Sequence, residues 1–234
     1  MEKRQLNEKK GILIPNKNGC TNFGAICLDG KKLFALKTAQ SNKVSTLYLY
    51  QDYRTGCSLT TRQYKGQMGH GNGMTLAGGK LYIAPMDKYV QVLDTQHGMT
   101  RKKITAPIII TSIAHVRGDI FLAGLSLIRI TAKEVQLVKH YKLAWNDEDF
   151  PIAQDIAYRK GFAYIVRSSP RKTANAVLRC PLDEKTIALA PDRIYLSRES
   201  RGLYEFESLD FDGNAMIIAA NVEGGKDALY LAKV

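Results

Sequence analysis

No apolar stretch in this 234-residue chain approaches the roughly 18 residues of a spanning helix, so a membrane-spanning helical protein is excluded. Cysteine is sparse. The four thiols, Cys20, Cys27, Cys57 and Cys180, stand 7, 30 and 123 positions apart, which excludes a zinc knuckle, a CxxC redox pair and a dense disulfide framework. The four histidines, His70, His97, His115 and His140, are equally scattered, and no HExxH pair is present, so no metal site is expected from ligand spacing. Helical periodicity is missing too. Only an acidic stretch at 147–154 could form a turn or two. The first ten residues are basic but lead into no apolar run; the chain reads as cytoplasmic, or as secreted or envelope-associated if an upstream segment precedes it. Acidic residues are in deficit. Thirty-four Lys and Arg against 22 Asp and Glu leave a basic protein of net charge +12, which favours an anionic partner without naming one.

What the chain does have is an internal repeat, which must be sought before individual elements are assigned. The segment 24–36 (GAICLDGKKLFAL) is echoed at 73–84 (GMTLAGGKLYIA), 112–123 (SIAHVRGDIFLA), 155–166 (DIAYRKGFAYIV) and 207–219 (ESLDFDGNAMIIA). Each copy is strand, turn glycine, strand. The turn glycines Gly30, Gly79, Gly118, Gly161 and Gly213 are spaced 49, 39, 43 and 52, a mean close to one fifth of the chain. A second hairpin follows most copies, and four strands per repeat make a propeller blade. Both faces of such a sheet pack on neighbouring blades, which explains why the second strand of each copy is nearly all apolar.

The expected fold is therefore all-β: one five-bladed β-propeller of four-stranded blades, a single domain over 1–234 with blades starting near 22, 70, 109, 152 and 204. The fifth copy stops one strand past its hairpin. The N-terminal strand at 11–16 has no repeat of its own and is expected to complete that blade and close the ring, with Pro15 tolerated on an outermost strand.

In a propeller, the residues opening each inner strand meet around one mouth of the central channel, the default place for a site. The richest opening is 69–74 (GHGNGM), where His70 and Asn72 offer an imidazole and an amide. Asn22 stands in blade one where blade two has His70. Gln154 and Asp155 open blade four, and Glu205 and Glu207 open blade five. Asp155, Glu207 and His70 are the candidate catalytic residues, because paired acids and an imidazole supply general acid–base chemistry. The same acids, with the 147–149 loop, could hold Ca²⁺. The plainer alternative is that they pair with Arg167, Arg198 or Arg201. Lys37 and Arg167 hold equivalent positions at the end of the second strand in blades one and four, with Lys43, Lys88, Arg171, Lys172 and Lys226 in or beside the following loops, a set suited to acidic groups. Trp145 could stack on a sugar or plug a gap between blades. The 210–214 sequence (DFDGN) is ordinary turn chemistry, since it lacks the later ligands of a calcium loop.

The blade-two pattern GHGNGMT followed by GKLYIA resembles the blade openings of bacterial β-propeller repeat proteins (GHxNxM-type blades), some linked to envelope or cell-wall modules. The resemblance implies the fold and a bacterial source, and it brings no catalytic residues. No motif of plant-type glutaminyl cyclases is present, and a third channel acid, as in five-bladed arabinan hydrolases, is missing. The function expected first is a non-catalytic binding propeller, its ligand-binding residues His70, Asn72, Gln154, Asp155, Arg167, Glu205, Glu207, Lys37 and Asn22, taking a polar, anionic or carbohydrate small molecule, a glycan or a protein loop over the channel. The alternative is a glycan-directed hydrolase or lyase using the carboxylates. A monomer is expected, and no RNP-like strand or helix-turn-helix points to nucleic acid.

Overall fold

The computed structural model describes residues 1–65, 68–97, 99–146, 148–198 and 202–233. The N-terminal segment forms β1 (Glu2–Gln5) and β2 (Glu8–Leu13). Blade one is β3 (Cys20–Asp29), β4 (Lys32–Ala39), β5 (Val44–Asp52) and β6 (Cys57–Lys65), and blade two is β7 (Gly73–Ala77), β8 (Lys80–Ala84), β9 (Asp87–Asp94) and β10 (Thr100–Ile110). Blade three is β11 (Ala114–Arg117), β12 (Ile120–Ala123), β13 (Ser126–Ile130) and β14 (Val135–His140); a short β15 (Lys142–Leu143) follows it. Blade four is β16 (Ile152–Arg159), β17 (Phe162–Ser168), β18 (Ala174–Pro181) and β20 (Arg193–Arg198), with β19 (Ala188–Leu189) pairing in parallel with β15 outside the blades. Blade five is β21 (Tyr204–Asp212), β22 (Ala215–Val222) and β23 (Ala228–Lys233). Its outer strand is β2, antiparallel to β23.

Each of the five inner hairpins turns on a glycine at positive φ, the conformation that the repeat's conserved frame requires at Gly30, Gly79, Gly118, Gly161 and Gly213. Five hydrophobic clusters then divide the core, one at each junction between blades. Leu36 and Leu47 meet Met74 and Ile83 between blades one and two. Val90 and Ile104 meet Phe121 and Ile128 between two and three, and Leu122 and Leu127 meet Ile156 and Ile165 between three and four. Val166 and Val177 meet Leu209 and Ile218 between four and five. Blade five in turn packs Ile217 and Leu229 on Phe23 and Ile26 of blade one. Nearly continuous apolar strands are thus buried on both faces, as the sequence pattern required. Among the described residues there is no α-helix, only a 3-10 turn at Glu223–Gly225, and no helix long and apolar enough to cross a membrane. The acidic stretch at 147–154 contains the start of β16 where a helical turn was expected; its Asp147 lies outside the described residues.

The N-terminal segment departs from expectation in two ways. The strand on blade five is Glu8–Leu13, not 11–16: its register runs from Glu8 opposite Ala232 to Leu13 opposite Ala228. The pairing ends before Pro15, which has no N–H to give a ladder, and the Pro15 carbonyl instead accepts the Tyr48 hydroxyl at 2.7 Å. Upstream, β1 adds a fifth strand to blade four, parallel to β20 with Glu2 opposite Arg193 and Gln5 opposite Leu196. Between the two strands, Leu6 is buried in the junction of blades four and five, and Glu8 accepts the Tyr204 hydroxyl at 2.8 Å. One segment therefore spans the outer edges of two adjacent blades. Removing residues 1–5, all exposed except in their pairing, is expected to lower the melting temperature by only a few degrees. Removing 1–13 also takes Leu6 and the fourth strand of blade five, and should lower it by more than about 10 °C. Thermal melts of the two truncations read this directly; equal melts would refute the role given to β2.

Candidate functional site at the channel mouth

The inner strands do not run into the mouth as regular ladders. On β21, a bulge between Phe206 and Ser208 leaves Glu207 as the extra residue. On β16, the register shifts between Ala153 and Ile156, releasing Gln154 and Asp155, and on β3 it shifts between Phe23 and Ala25, at Gly24. A bulge re-aims the side chains around it, so adjacent residues of one strand serve different spaces. Glu205 and Glu207 face the mouth, while Ser208 turns to the channel axis and donates to Asp155 Oδ2 at 2.5 Å.

The result is an open cleft of about 420 Å³ where blades one, two, four and five converge. Asn22, His70, Gln154, Glu205 and Glu207 all line it. These five were brought together by repeat position alone. Two further residues complete the polar wall: Lys172, whose Nζ lies 2.7 Å from Glu205 Oε2, and Asn221, which donates to Glu207 Oε1 at 2.5 Å while accepting from the Phe23 N–H at 2.9 Å. Gln154 donates to the other oxygen of Glu205 at 2.5 Å. Lys172 was one of several loop lysines in the sequence, with nothing to single it out. Asn221 could have been found, since it is the only polar residue in the otherwise apolar run at 215–222.

Burial raises the Glu207 pKa well above the usual carboxylate range, and the field of Glu205 and a hydrogen bond to it push the same way against Lys172 and Asn221. Glu207 thus favours its protonated form beside the Lys172-paired Glu205. Burial works against the Lys172 ammonium, but its bond to Glu205 and the field of both acids outweigh this and raise its pKa. Burial, helped by the nearby Lys172, lowers the His70 pKa and favours the neutral imidazole; Asn42 Oδ1 lies 3.3 Å from Nδ1.

The remaining candidates lie elsewhere. Lys37 is a correction: it is 0% exposed, its Nζ 2.5 Å from Asp227 Oδ2 and also bonded to Asn16 and the Ile14 carbonyl, so its donors are consumed inside the protein. Asp155 is 3% exposed at the axis and does not share the cleft with His70 and Glu207, which separates the expected catalytic trio. Burial raises its pKa well above the usual range despite the Ser208 bond. Asn72, Asp155 and Arg167 line a second cavity, with Gln154 on the wall between. The acids do not pair with Arg167, which donates to the carbonyls of Phe150 and Pro151 at 2.9 and 2.8 Å. Arg201 and the Arg198 side chain lie outside the described residues. Trp145 packs in the junction of blades three and four. Among the described residues no group of three His, Cys, Asp or Glu side chains could hold a metal, so the calcium considered at the mouth has no such cluster there; Asp147 of its loop lies outside them.

The glycines of the 69–74 opening are set by close packing. A Cβ on Gly73 would lie 2.6 Å from Asp155 Oδ1 and 2.8 Å from the Ile113 nitrogen, and one on Gly24 would lie 2.5 Å from the Gly71 carbonyl oxygen. Backbones of adjacent blades touch here, and any side chain would push them apart.

No protein-family model matches the chain, and no curated protein sequence matches it. Solved structures do. A glutaminyl cyclase of Myxococcus xanthus superposes with a TM-score of 0.62 over the whole of both chains at 12% identity. The PQQ-bound form of an aldose sugar dehydrogenase from Streptomyces coelicolor does so with a TM-score of 0.56 over 98% of each chain, also at 12% identity. At that identity the likeness establishes the propeller fold.

Three acids, Asp155, Glu207 and Asp210, have their pKa raised by burial, Asp210 to about 6. The native protein then holds protons that the unfolded chain releases above about pH 4, so this contribution to stability is present at low pH and is lost as pH rises through the folded values. His70, with its lowered pKa, acts oppositely below about pH 6.5 but is a single group. The melting temperature is expected to be a few degrees higher at pH 5.5 than at pH 7.5, with Asp210→Asn and Glu207→Gln each shrinking the difference. A profile that falls on acidification, or is unchanged in both variants, contradicts the assignment.

Proposed function

We propose that the protein is a binding propeller whose channel-mouth cleft takes a small polar ligand rich in hydrogen-bond donors, an amine or a polyol of the carbohydrate class. The observation that carries this reading is the convergence of Asn22, His70, Gln154, Lys172, Glu205 and Glu207, from four blades, on one open cleft. Its volume is that of small-molecule sites. The balance of charge favours donors over anions. Among the described residues, Glu205, Glu207, Glu223 and Asp227 line the cleft against one lysine, Lys172, already engaged by Glu205. Among the described residues the lining includes no Phe, Tyr or Trp, so recognition rests chiefly on hydrogen bonds.

A second reading, a glycan-directed hydrolase or lyase, is favoured by one observation: the carboxyls of Glu205 and Glu207 share the cleft, with burial and the field of Glu205 raising the Glu207 pKa. Such a pair offers an acid and a base in one place. The two solved structures of similar fold are enzymes, a cyclase and a dehydrogenase, and their chemistry belongs to them.

Calorimetric titration with a panel of monosaccharides, amino sugars and polyamines is the direct test. At least one member is expected to bind, and Glu205→Gln to weaken it by about tenfold or more, since a charge-assisted bond is lost. Wild-type affinity in both Glu205→Gln and His70→Ala would remove the cleft from consideration. Turnover of a panel member that disappears in Glu207→Gln while binding persists would move the protein to the enzymatic reading.

A further inference from the structure

Beside the cleft, between blades two, three and four, lies a separate cavity of about 200 Å³. Two independent features of its wall are unexplained by folding alone. First, Arg167 is half-buried, yet among the described residues no carboxylate lies within ion-pair distance; its guanidinium touches two carbonyls and lies 5.9 Å from the Trp145 ring. A partly desolvated cation without a counter-charge is costly, and burial lowers the Arg167 pKa with no acid to offset it. Second, Asn72 and Asp155, 6% and 3% exposed, each carry a buried oxygen, Oδ1, that has no hydrogen-bond partner among the described residues. Buried polar atoms are ordinarily paired, so two in one cavity ask for a hydrogen-bonding group from outside the chain. The wall between these polar ends is apolar, formed by Leu125, Leu143 and Ile165.

We propose that this cavity binds a small hydroxycarboxylic acid, its carboxylate on Arg167, its hydroxyl bridging Asn72 Oδ1 and Asp155 Oδ1, and its short hydrocarbon spacer against Leu125, Leu143 and Ile165. The ligand supplies what each part of the wall lacks: a counter-ion for the guanidinium, a hydroxyl to bridge the two unpartnered oxygens and apolar contact between. Burial favours the neutral form of Asp155, so that side chain does not repel the carboxylate. Because Oδ2 accepts from Ser208, the proton of Asp155 belongs on Oδ1, and the ligand hydroxyl accepts from it while donating to Asn72 Oδ1. Glu205 and Glu207 take no part, which keeps the inference independent of the reading given to the cleft.

The probes are 3-hydroxybutyrate, butyrate and butane-1,3-diol, titrated against the intact protein by saturation-transfer NMR and calorimetry. 3-Hydroxybutyrate is expected to bind, with butyrate and the diol each weaker by about tenfold or more, because each leaves one polar end unmet. Arg167→Met should abolish binding of 3-hydroxybutyrate, and Glu205→Gln should leave it unchanged. Ala153 lies directly opposite Arg167 on the neighbouring strand, so Ala153→Leu blocks the cavity while keeping the charge. That variant decides the matter if Arg167→Met fails to fold by circular dichroism. No binding of 3-hydroxybutyrate at millimolar concentration, equal binding of butyrate, or undiminished binding in Ala153→Leu overturns the proposal.

Discussion

The Ser208 hydroxyl at the channel axis is the contact on which the ring of inner strands turns. It donates to Asp155 Oδ2 at 2.5 Å and accepts from the Ile26 N–H at 3.1 Å, joining blades five, four and one through a single oxygen. Asp155 in turn lies against Gly73 of blade two, which also packs on the Ile113 nitrogen of blade three. An innermost strand has no ladder partner on its axial side, so its outward N–H groups need acceptors from the neighbouring blade. The same solution recurs: Asp210 accepts from Leu28 N–H, Thr75 from His115 N–H, Asn221 from Phe23 N–H and Asn175 from Phe206 N–H. Polar residues near the axis are therefore first of all substitutes for missing strands. Function has to be sought in those whose atoms are not used up in that work.

The same division orders the charge. The acids Glu205, Glu207, Asp155, Asp210 and Asp227 gather at the axis and mouth, where backbone donors and Lys172 meet them. The basic surplus goes to the outer strands: Lys9 and Lys10 on β2, Arg62 and Lys65 on β6, Arg101, Lys102 and Lys103 on β10, and Lys139 on β14. A strand edge lined with Lys and Arg resists pairing with another chain, so much of the +12 is accounted for as protection of the blade edges. The cleft lining itself, among the described residues, carries four acids and one lysine.

The blades were legible because their signals are local. A turn glycine between two apolar runs needs no knowledge of what packs on it, and five such hairpins at even spacing admit few folds. Elements fixed by distant partners were not legible. β1 is a short charged stretch, EKRQ, with no strand signature; only β20 alongside and the 2.8 Å contact of Arg193 with Glu2 hold it as a strand. The two-residue pair β15 and β19 is likewise defined by its partner alone. At the site, repeat position brought Asn22, His70, Gln154, Glu205 and Glu207 to one cleft, since equivalent openings converge by symmetry. It could not separate Asp155 from them, because a bulge lets adjacent residues leave one strand in different directions, and no residue type marks where a register will slip.

Lys37 and Arg167 show where that limit becomes informative. They sit at one repeat position, opposite Phe23 and Ala153 in the paired strand, each just before the bulge of its blade. In blade one, Asp227 reaches the ammonium from blade five, and Asn16 and the Ile14 carbonyl of the N-terminal segment complete its shell. The cation has become part of the joint between the two blades. In blade four the corresponding neighbours supply two carbonyls and an indole but no acid, and an empty space with two unpartnered oxygens lies beside the guanidinium. Removing one partner of a buried pair leaves the other stranded at a cost of about 3–5 kcal/mol, which ties Lys37 and Asp227 together as structure. Arg167 is only half-buried and has no such tie among the described residues, which leaves its guanidinium open to the carboxylate proposed for the cavity.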